Sequence, residues 1–324
     1  MNRLCKLQKG LRADALLIGS AFGFDANAYY YFGCEGACAI LVTRDEAYSF
    51  APREVDGTTW GKAKSFTKRQ LPKFIKEHKV KKLAFDEKSG LAFSAIAQHL
   101  RVKLEPYSRV MQTQRMVKDA NELKLLKRAQ SITKKCVREV LNEGIIGKTG
   151  NLLAGELELK ARGQGTALNS FEPIVLVNEE ARDPHGTPSN KRIQRGDLVL
   201  FDVGATWKRY HGDYSHTHYE GSDEVKHSAV NAVKESKRAA ELAAKPGVKG
   251  SVLANAALAV LKEHGFAKTS FREEGLGLGH HIGLDVHEGL TLEETRLRKG
   301  MAFTIEPGVY TRGFGVRFED IKMV

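Results

Sequence analysis

The clearest alternation of apolar and polar residues lies at residues 196–205, GDLVLFDVGA. Successive side chains of a strand point to opposite faces, so this stretch predicts a strand with Leu198, Leu200 and Asp202 on one face. An acidic group therefore stands at the end of an otherwise apolar face. Such a placement is costly unless a positive group lies nearby.

A second acidic residue follows on what the sequence predicts to be the return strand, residues 210–217. Gly204 and Gly212 allow a tight reversal between the two strands, which brings Asp213 beside Asp202 on the same face. Two neighbouring carboxylates repel each other and stay ionised mainly when a cation neutralises both. The pair therefore indicates a cation site.

The chain up to about residue 112 alternates short apolar runs with amphipathic segments, which predicts an α/β domain over residues 1–113. Strands are predicted at residues 13–19, 37–43, 47–50 and 82–86, and helices at residues 71–78 and 90–100. The second and third strands are short and adjacent, which indicates a hairpin. No catalytic constellation is found in this part of the sequence.

Residues 114–118 link this part to a second domain, residues 114–324. A long helix opens at Asp119, with Glu122 three residues later in the spacing of a capping box. Further helices are predicted at residues 152–162, 222–244 and 251–264. The second domain is therefore expected to contain several helices beside its strands.

Three more candidate metal ligands follow in the second domain. His280 lies in the glycine-rich segment GLGHHIG, Glu306 in TIEPG and Glu319 in GVRFED. Together with Asp202 and Asp213 they make four carboxylates and one imidazole. An oxygen-dominated set suits Mn, Co or Fe, and bridging carboxylates suit two ions roughly 3.5–4 Å apart.

These segments resemble the pita-bread metallopeptidases, the family of methionine aminopeptidase, aminopeptidase P and prolidase. The matching stretches are DVGA with Asp213, GHHIGLDVHE, TIEPGVY and GVRFED; they occur in the family's order and span about residue 116 to the end. The resemblance implies an α+β pita-bread C-terminal domain with a curved antiparallel sheet. It also implies two divalent ions, Mn or Co with Fe or Zn as alternatives, held by Asp202, Asp213, His280, Glu306 and Glu319.

The resemblance also implies catalytic roles. Asp213 and Glu319 are expected to bridge the two ions, and a hydroxide held between them would attack the scissile carbonyl. Glu306 is expected to take and pass on the proton of the water, in addition to binding metal. His185 and His287 match family histidines that stabilise the intermediate, and His287 is also expected to bind substrate.

An N-terminal domain of more than 100 residues, which a minimal methionine aminopeptidase lacks, favours a peptidase that cuts before proline at the second position of a peptide. The shortened N-terminal domain and compact loops leave little scaffold for an extended peptide groove, which favours an Xaa-Pro dipeptidase resembling prolidase. Aminopeptidase P acting on longer peptides is one alternative. A metal-free pita-bread protein that only binds other molecules is another, although such relatives typically lose ligands. Creatinase-like amidine hydrolysis is the third.

The sequence departs from prolidases where an arginine often follows the His-Glu pair, since Gly289, Leu290 and Thr291 stand there. The anchor for a dipeptide's terminal carboxylate is therefore not identified by the motif. Arg317 is the candidate substrate-binding residue, and it would serve either as that anchor or as a support for a neighbouring metal ligand.

The net charge of +12 and pI of about 9.4 raise the question of nucleic-acid binding. Most lysines, however, fall between apolar residues at helical spacing, as on solvated helix faces, so nucleic acid is not an expected partner. Relatives with this N-terminal domain usually form dimers, and a homodimer is expected from the resemblance.

The four cysteines, Cys5, Cys34, Cys38 and Cys136, are scattered, which is typical of reduced thiols. No apolar run reaches the roughly 18 residues of a membrane span, and the N-terminus lacks the apolar segment of a signal peptide. We therefore expect a cytoplasmic protein that does not bind membranes.

Overall fold

The computed structural model describes residues 3–20, 24–36, 38–49, 64–65, 70–87, 102–166 and 169–324. The chain divides into two compact units, Met1–Arg115 and Met116–Val324. The division falls two residues after the domain boundary predicted from the sequence. In the described ranges, no helix is both long and apolar enough to cross a bilayer.

The first unit has a mixed sheet surrounded by helices. Its helices are α1 (Arg3–Gly10), α2 (Ala26–Phe32), α3 (Gln70–Glu77) and α4 (Ser108–Arg115). Its strands are β1 (Ala15–Ser20), β2 (Cys38–Val42), β3 (Ala47–Ser49), β4 (Lys64–Ser65), β5 (Lys82–Phe85) and β6 (Lys103–Pro106). They form one sheet in the order β4-β3-β2-β1-β5-β6.

The central strand β1 runs antiparallel to β2 and parallel to β5. Leu17, Leu41 and Leu83 of these strands pack with Phe74 and Ile75 of α3 into one buried cluster. The α/β class, the hairpin β2–β3, the strand at 82–86 and the helix at 71–78 are confirmed. The helix predicted at 90–100 lies outside the described residues.

The second unit contains the helices α5 (Ala120–Asn142), α6 (Gly150–Gly163), α7 (Glu224–Ala243) and α8 (Gly250–Glu263). The predicted capping box starts α5: the Asp119 carboxylate accepts from the backbone N–H of Glu122, and the Glu122 carboxylate accepts from that of Asp119. The other three helices lie where the sequence predicts them.

The strands of the second unit form two antiparallel sheets and two short ribbons. The first sheet has the order β11-β8-β7, from β7 (Ile174–Val177), β8 (Leu198–Val203) and β11 (Tyr214–Tyr219). The second has the order β13-β12-β14-β17, from β12 (His280–His281), β13 (Glu288–Thr291), β14 (Ala302–Ile305) and β17 (Asp320–Met323). The ribbons pair β9 (Thr206–Trp207) with β10 (Tyr210–His211), and β15 (Gly308–Tyr310) with β16 (Gly315–Arg317).

Each sheet packs against one pair of helices. Phe201 of β8 belongs to a buried cluster with Ile132 of α5 and Leu153 of α6. Phe303 of β14 belongs to another cluster with residues of α7 and α8, including Leu253. The α+β class predicted for this domain is thereby confirmed, and the inner sheet faces are free to carry polar groups.

Candidate active site

Asp202 and Asp213 lie on neighbouring strands of the first sheet. Asp202 is the fifth residue of β8 and pairs with Ser215 of β11. Asp213 comes directly before β11, and both Asp202 and Asp213 line the same cavity. The prediction of one continuous return strand over residues 210–217 is wrong, because the chain leaves the strand conformation between β10 and β11.

The chain is closely packed at the break between β10 and β11. A Cβ on Gly212 would lie 2.5 Å from the Thr133 hydroxyl oxygen, and one on Gly204 would lie 2.3 Å from the Gly212 carbonyl oxygen. Gln130 of α5 then holds Asp213: its amide oxygen accepts from the Asp213 N–H at 2.8 Å, and its Nε2 donates to the Asp213 carbonyl at 2.6 Å. The backbone of Asp213 is thus held by the side-chain amide of Gln130 and not by a residue of a neighbouring strand.

His280 is the first residue of β12, and its position depends on the glycine before it. A Cβ on Gly279 would lie 2.1 Å from the Thr304 carbonyl oxygen, so only glycine fits this close approach of two strands. The His280 N–H donates to the Thr304 hydroxyl at 3.0 Å. Its imidazole Nε2 lies 3.5 Å from both Asp213 Oδ2 and Glu306 Oε1.

Glu306 and Glu319 flank the last pair of the β14–β17 ladder. That pair joins Ile305 to Asp320, and Glu306 follows β14 as Glu319 precedes β17. The Ser215 hydroxyl donates to Glu319 Oε2 at 2.8 Å, and the Glu319 N–H donates to the Ser215 carbonyl at 3.0 Å. The two sheets therefore meet where the acidic residues stand.

Burial and mutual repulsion disfavour ionisation of these acids. Burial raises the pKa of Asp213 well above its ordinary value, and the charges of Asp202 and Glu306 raise it further. Burial followed by the charge of Asp213 has the same effect on the pKa of Glu319. For Glu306, burial is the main cause that raises the pKa to about 7.

The donor set fits divalent cations. One ligand atom each of Asp213, His280 and Glu319 lie within 4.8 Å of one another. Asp202 Oδ1 and Glu319 Oε1 are buried and accept no hydrogen bond from the described residues, an uncommon state for a carboxylate oxygen. Oxygen ligands with one imidazole suit Mn²⁺ and similar ions. We call Asp202, Asp213, His280, Glu306 and Glu319 the five-residue cluster.

The Arg317 guanidinium is already engaged by protein groups. It donates to Ser215 Oγ at 3.0 Å, to the Tyr310 hydroxyl at 2.8 Å, to the Pro184 carbonyl at 3.1 Å and to Asp202 Oδ2. Its side chain is 4% exposed. Of the two roles considered from the sequence, this geometry favours support of a ligand carboxylate.

A cavity of about 370 Å³ opens above the five-residue cluster. His185 and His287, which we call the rim histidines, are exposed and line it, and the ring centroids of His280 and His287 lie 3.9 Å apart. All eight site residues predicted from the sequence border this cavity. Its apolar wall is formed by Phe171, Pro173, Ile174, Pro184, Leu276 and Val286.

Three supporting residues were not identified from the sequence, namely Gln130, Ser215 and Tyr310. Ser215 could have been identified, because it lies two residues after Asp213 and therefore shares its face in the return strand predicted from the sequence. Gln130 is a polar residue on the buried stripe of a helix, which is also a usable signal. Tyr310 reaches Arg317 across a hairpin ribbon, and no spacing rule singles it out.

The chain is similar to known metallopeptidases in both sequence and fold. The model of metallopeptidase family M24 matches residues 124–324. The Xaa-Pro dipeptidase of Pyrococcus horikoshii is 30% identical over 96% of this chain and 90% of its own. The solved prolidase of Pyrococcus furiosus has a TM-score of 0.87 and 28% identity, covering 99% of this chain and 96% of its own. The X-Pro aminopeptidase of Thermotoga maritima has a TM-score of 0.86 and 27% identity, covering 98% and 95%.

These matches confirm the prolidase-like fold, with a mixed α/β domain followed by a pita-bread domain containing antiparallel sheets. They also give the cluster a chemical context, because the family implies divalent metal ions. The chain therefore belongs to metallopeptidase family M24.

Proposed function

We propose that this metallopeptidase hydrolyses the peptide bond before proline in Xaa-Pro peptides. The observation that carries the proposal is the five-residue cluster at the base of a cavity whose wall is largely apolar. An apolar wall suits a proline ring, and acidic ligands suit the ions that peptide hydrolysis requires. The printed names of the relatives, Xaa-Pro dipeptidase and X-Pro aminopeptidase, support this substrate class.

The five-residue cluster would hold two divalent ions, Mn²⁺ or Co²⁺ with Fe²⁺ or Zn²⁺ as alternatives. Asp213 comes just before β11 and Glu319 just before β17, and one carboxylate oxygen of each lies within 4.8 Å of the other and of an imidazole nitrogen of His280. When bound, the ions supply Lewis acidity toward the attacking water and the scissile carbonyl. Arg317 keeps Asp202 oriented through its hydrogen bond.

Glu306 would move protons in this mechanism. In the metal-free protein its pKa is raised to about 7, mainly by burial. Its side chain keeps 24% of its area accessible, so water in the cavity can reach it. Glu306 would thus serve as the general base in attack and carry the proton toward the leaving nitrogen.

The rim histidines would act on the substrate. His185 and His287 are exposed and border the cavity, so their ring N–H groups can donate to the developing oxyanion or to the leaving nitrogen. The nitrogen of a prolyl bond carries no hydrogen in the substrate and must gain a proton to leave as an amine. A donor at the rim meets that requirement.

A second candidate, an X-Pro aminopeptidase acting on longer peptides, is favoured by the environment of Arg317. Apart from Arg317, no lysine or arginine of the described chain borders the cavity, and Arg317 is bound to four protein groups. A dipeptide's terminal carboxylate would then lack a dedicated cationic partner. Tripeptides would be accepted together with dipeptides.

The test is a substrate panel measured after chelation and add-back of each metal. It contains Xaa-Pro, Xaa-Pro-Yaa and matched Xaa-Ala peptides with the same first residue. We expect metal-dependent cleavage of the prolyl peptides and little cleavage of the Xaa-Ala controls. Equal kcat/KM for Xaa-Ala and Xaa-Pro would overturn the prolyl assignment, and no metal-dependent cleavage of any peptide would favour a binding protein.

A further inference from the structure

A fully buried ion pair lies outside the five-residue cluster. The Lys118 ammonium donates to Glu288 Oε1, and each side chain is only 1% exposed. Burying two charges costs several kcal/mol per ion in desolvation, and a hydrophobic pair of similar size often gives equal stability. Stability alone therefore does not explain the pair, and we ask which neighbouring residues it holds in position.

Glu288 follows the rim histidine His287 directly in the chain. It begins β13 and pairs with His281 of β12, next to the cluster residue His280. The turn between these strands carries His287 into the cavity. Whatever fixes Glu288 therefore fixes one end of the turn that presents His287.

The other end of the turn is built around the same carboxylate. A Cβ on Gly283 would lie 2.3 Å from Glu288 Oε1, so the absence of a side chain there makes room for the carboxylate. The Gly283 N–H donates to the Asp285 carbonyl, and its own carbonyl accepts from the His211 N–H at 2.9 Å. The Glu288 carboxylate thus sits inside the turn and not on its surface.

Lys118 is itself held by backbone contacts. Its N–H donates to the Gly300 carbonyl at 2.8 Å, and Val117 forms a bridge with Met301 just before β14. Met116 packs against Gly289, where a Cβ would lie 2.4 Å from Met116 Cγ. The segment 116–118 therefore clamps the start of β13 and ties it to the strand that leads to Glu306.

We infer that Lys118 is a positioning residue that acts through Glu288 to hold His287 over the cavity. Lys118 does not line the cavity, and its ammonium donates to Glu288, which is not a member of the five-residue cluster. Its effect on catalysis would pass entirely through the turn 283–288. The inference rests on the proposed peptidase function for its kinetic consequence, but its structural consequence is independent of activity.

The test uses the double variant Lys118→Met/Glu288→Gln, because removing one charge alone leaves the other buried and unpaired and risks misfolding. The matched control is Lys148→Met/Glu156→Gln, which removes a half-buried pair that does not border the cavity. Hydrogen exchange followed by mass spectrometry should show roughly tenfold faster exchange in the turn 283–288, with β8 unchanged. Uniformly faster exchange across both sheets, or no change in the turn, would overturn the inference.

The kinetic test is a double-mutant cycle, which combines the Lys118→Met/Glu288→Gln variant with His287→Ala in the metal-loaded enzyme. We expect the double variant to lower kcat roughly 10- to 100-fold with KM and bound metal little changed, and to have almost no further effect when His287 is already alanine. Additive losses in the cycle would show that Lys118 acts by another route and would refute the positioning role. If the wild type cleaves no Xaa-Pro peptide, the proposed function fails, and the exchange arm still decides the role of Lys118.

Discussion

The five-residue cluster and the rim histidines border the same cavity but differ in how their side chains are held. Asp202, Asp213 and Glu319 are 8%, 3% and 2% exposed. The carboxylates of Asp202 and Glu319 accept hydrogen bonds from Arg317 and Ser215, and the backbone of Asp213 is held by Gln130. His185 and His287 are exposed to the cavity. These three carboxylates are set within the protein, whereas the rim histidines face the space that a substrate would occupy.

This difference predicts two kinds of loss of function in variants of the site. A change in the cluster should remove a ligand of the ions, and the loss of the ions should abolish activity. The buried carboxylates and the cations depend on each other, because neighbouring buried carboxylates stay ionised mainly when cations neutralise them. A change at the rim should leave the ions in place and slow the chemical step alone. The following variants test that division, in order of decreasing effect.

The largest effect is expected for Asp213→Ala. Under the proposed function Asp213 would contribute to both ion sites, so its loss should remove metal and lower kcat/KM by roughly 10³-fold or more. The fold should persist, since the apolar cores of both sheets do not involve this side chain. Elemental analysis together with circular dichroism checks both points, and full metal occupancy in the variant would contradict the assignment.

His287→Ala should lower kcat on the order of a hundredfold, the scale expected for losing one donor to the oxyanion. Bound metal should stay unchanged, because His287 belongs to the rim and not to the cluster. His264→Ala, at an exposed histidine at the end of α8, is the matched control. Loss of metal from the His287 variant would mean that the cluster and rim roles of the histidines have been assigned wrongly.

Arg317→Met should weaken metal binding roughly 10- to 100-fold, since it frees a carboxylate that the arginine orients. The loss in kcat/KM should be equal for Xaa-Pro and Xaa-Pro-Yaa peptides. Arg312→Met, at an exposed arginine in the same hairpin, serves as control. A rise in KM confined to dipeptides would instead identify Arg317 as the anchor of the terminal carboxylate.

The smallest effect concerns the stability of the metal-free protein. The pKa of Glu306 is raised from 4.5 to about 7, so the unfolded chain ionises first and the free energy of unfolding falls as pH rises between these values. Glu306→Gln should therefore be more stable than wild type at pH 8, by on the order of 1–3 kcal/mol, and no different below about pH 4.5. Denaturant titrations at both pH values check this, with Glu263→Gln on α8 as control; a less stable Glu306 variant at pH 8 would refute the argument.

Much of the cluster could be predicted because strand alternation fixes which side chains share a face. Asp202 follows two apolar residues on its face of β8, and the β14–β17 pairing places Glu306 near Glu319 as expected for paired strands. Ordered motifs then identified His280 and the rim histidines. Local rules of this kind predict the strand face on which a residue lies and the order of the residues. They do not predict the distant residues that each one contacts.

What could not be predicted depends on contacts between distant segments. The break in the return strand lies where Gly212 meets the helix residue Thr133, 79 positions earlier in the chain. The engagement of Arg317 depends on the Pro184 carbonyl from another loop. Lys118 lies in what the sequence shows only as a linker, and its partner Glu288 is 170 positions away.

The most direct test of the central claim is an isothermal calorimetric titration of the metal-free protein with Mn²⁺ and with Co²⁺. The five-residue cluster predicts two ions per chain, with protons released on binding because the pKa values of Asp213, Glu306 and Glu319 are raised in the metal-free protein. Asp213→Ala should bind neither ion tightly. Binding of no ion, or two ions bound equally well by wild type and by Asp213→Ala, would contradict the account.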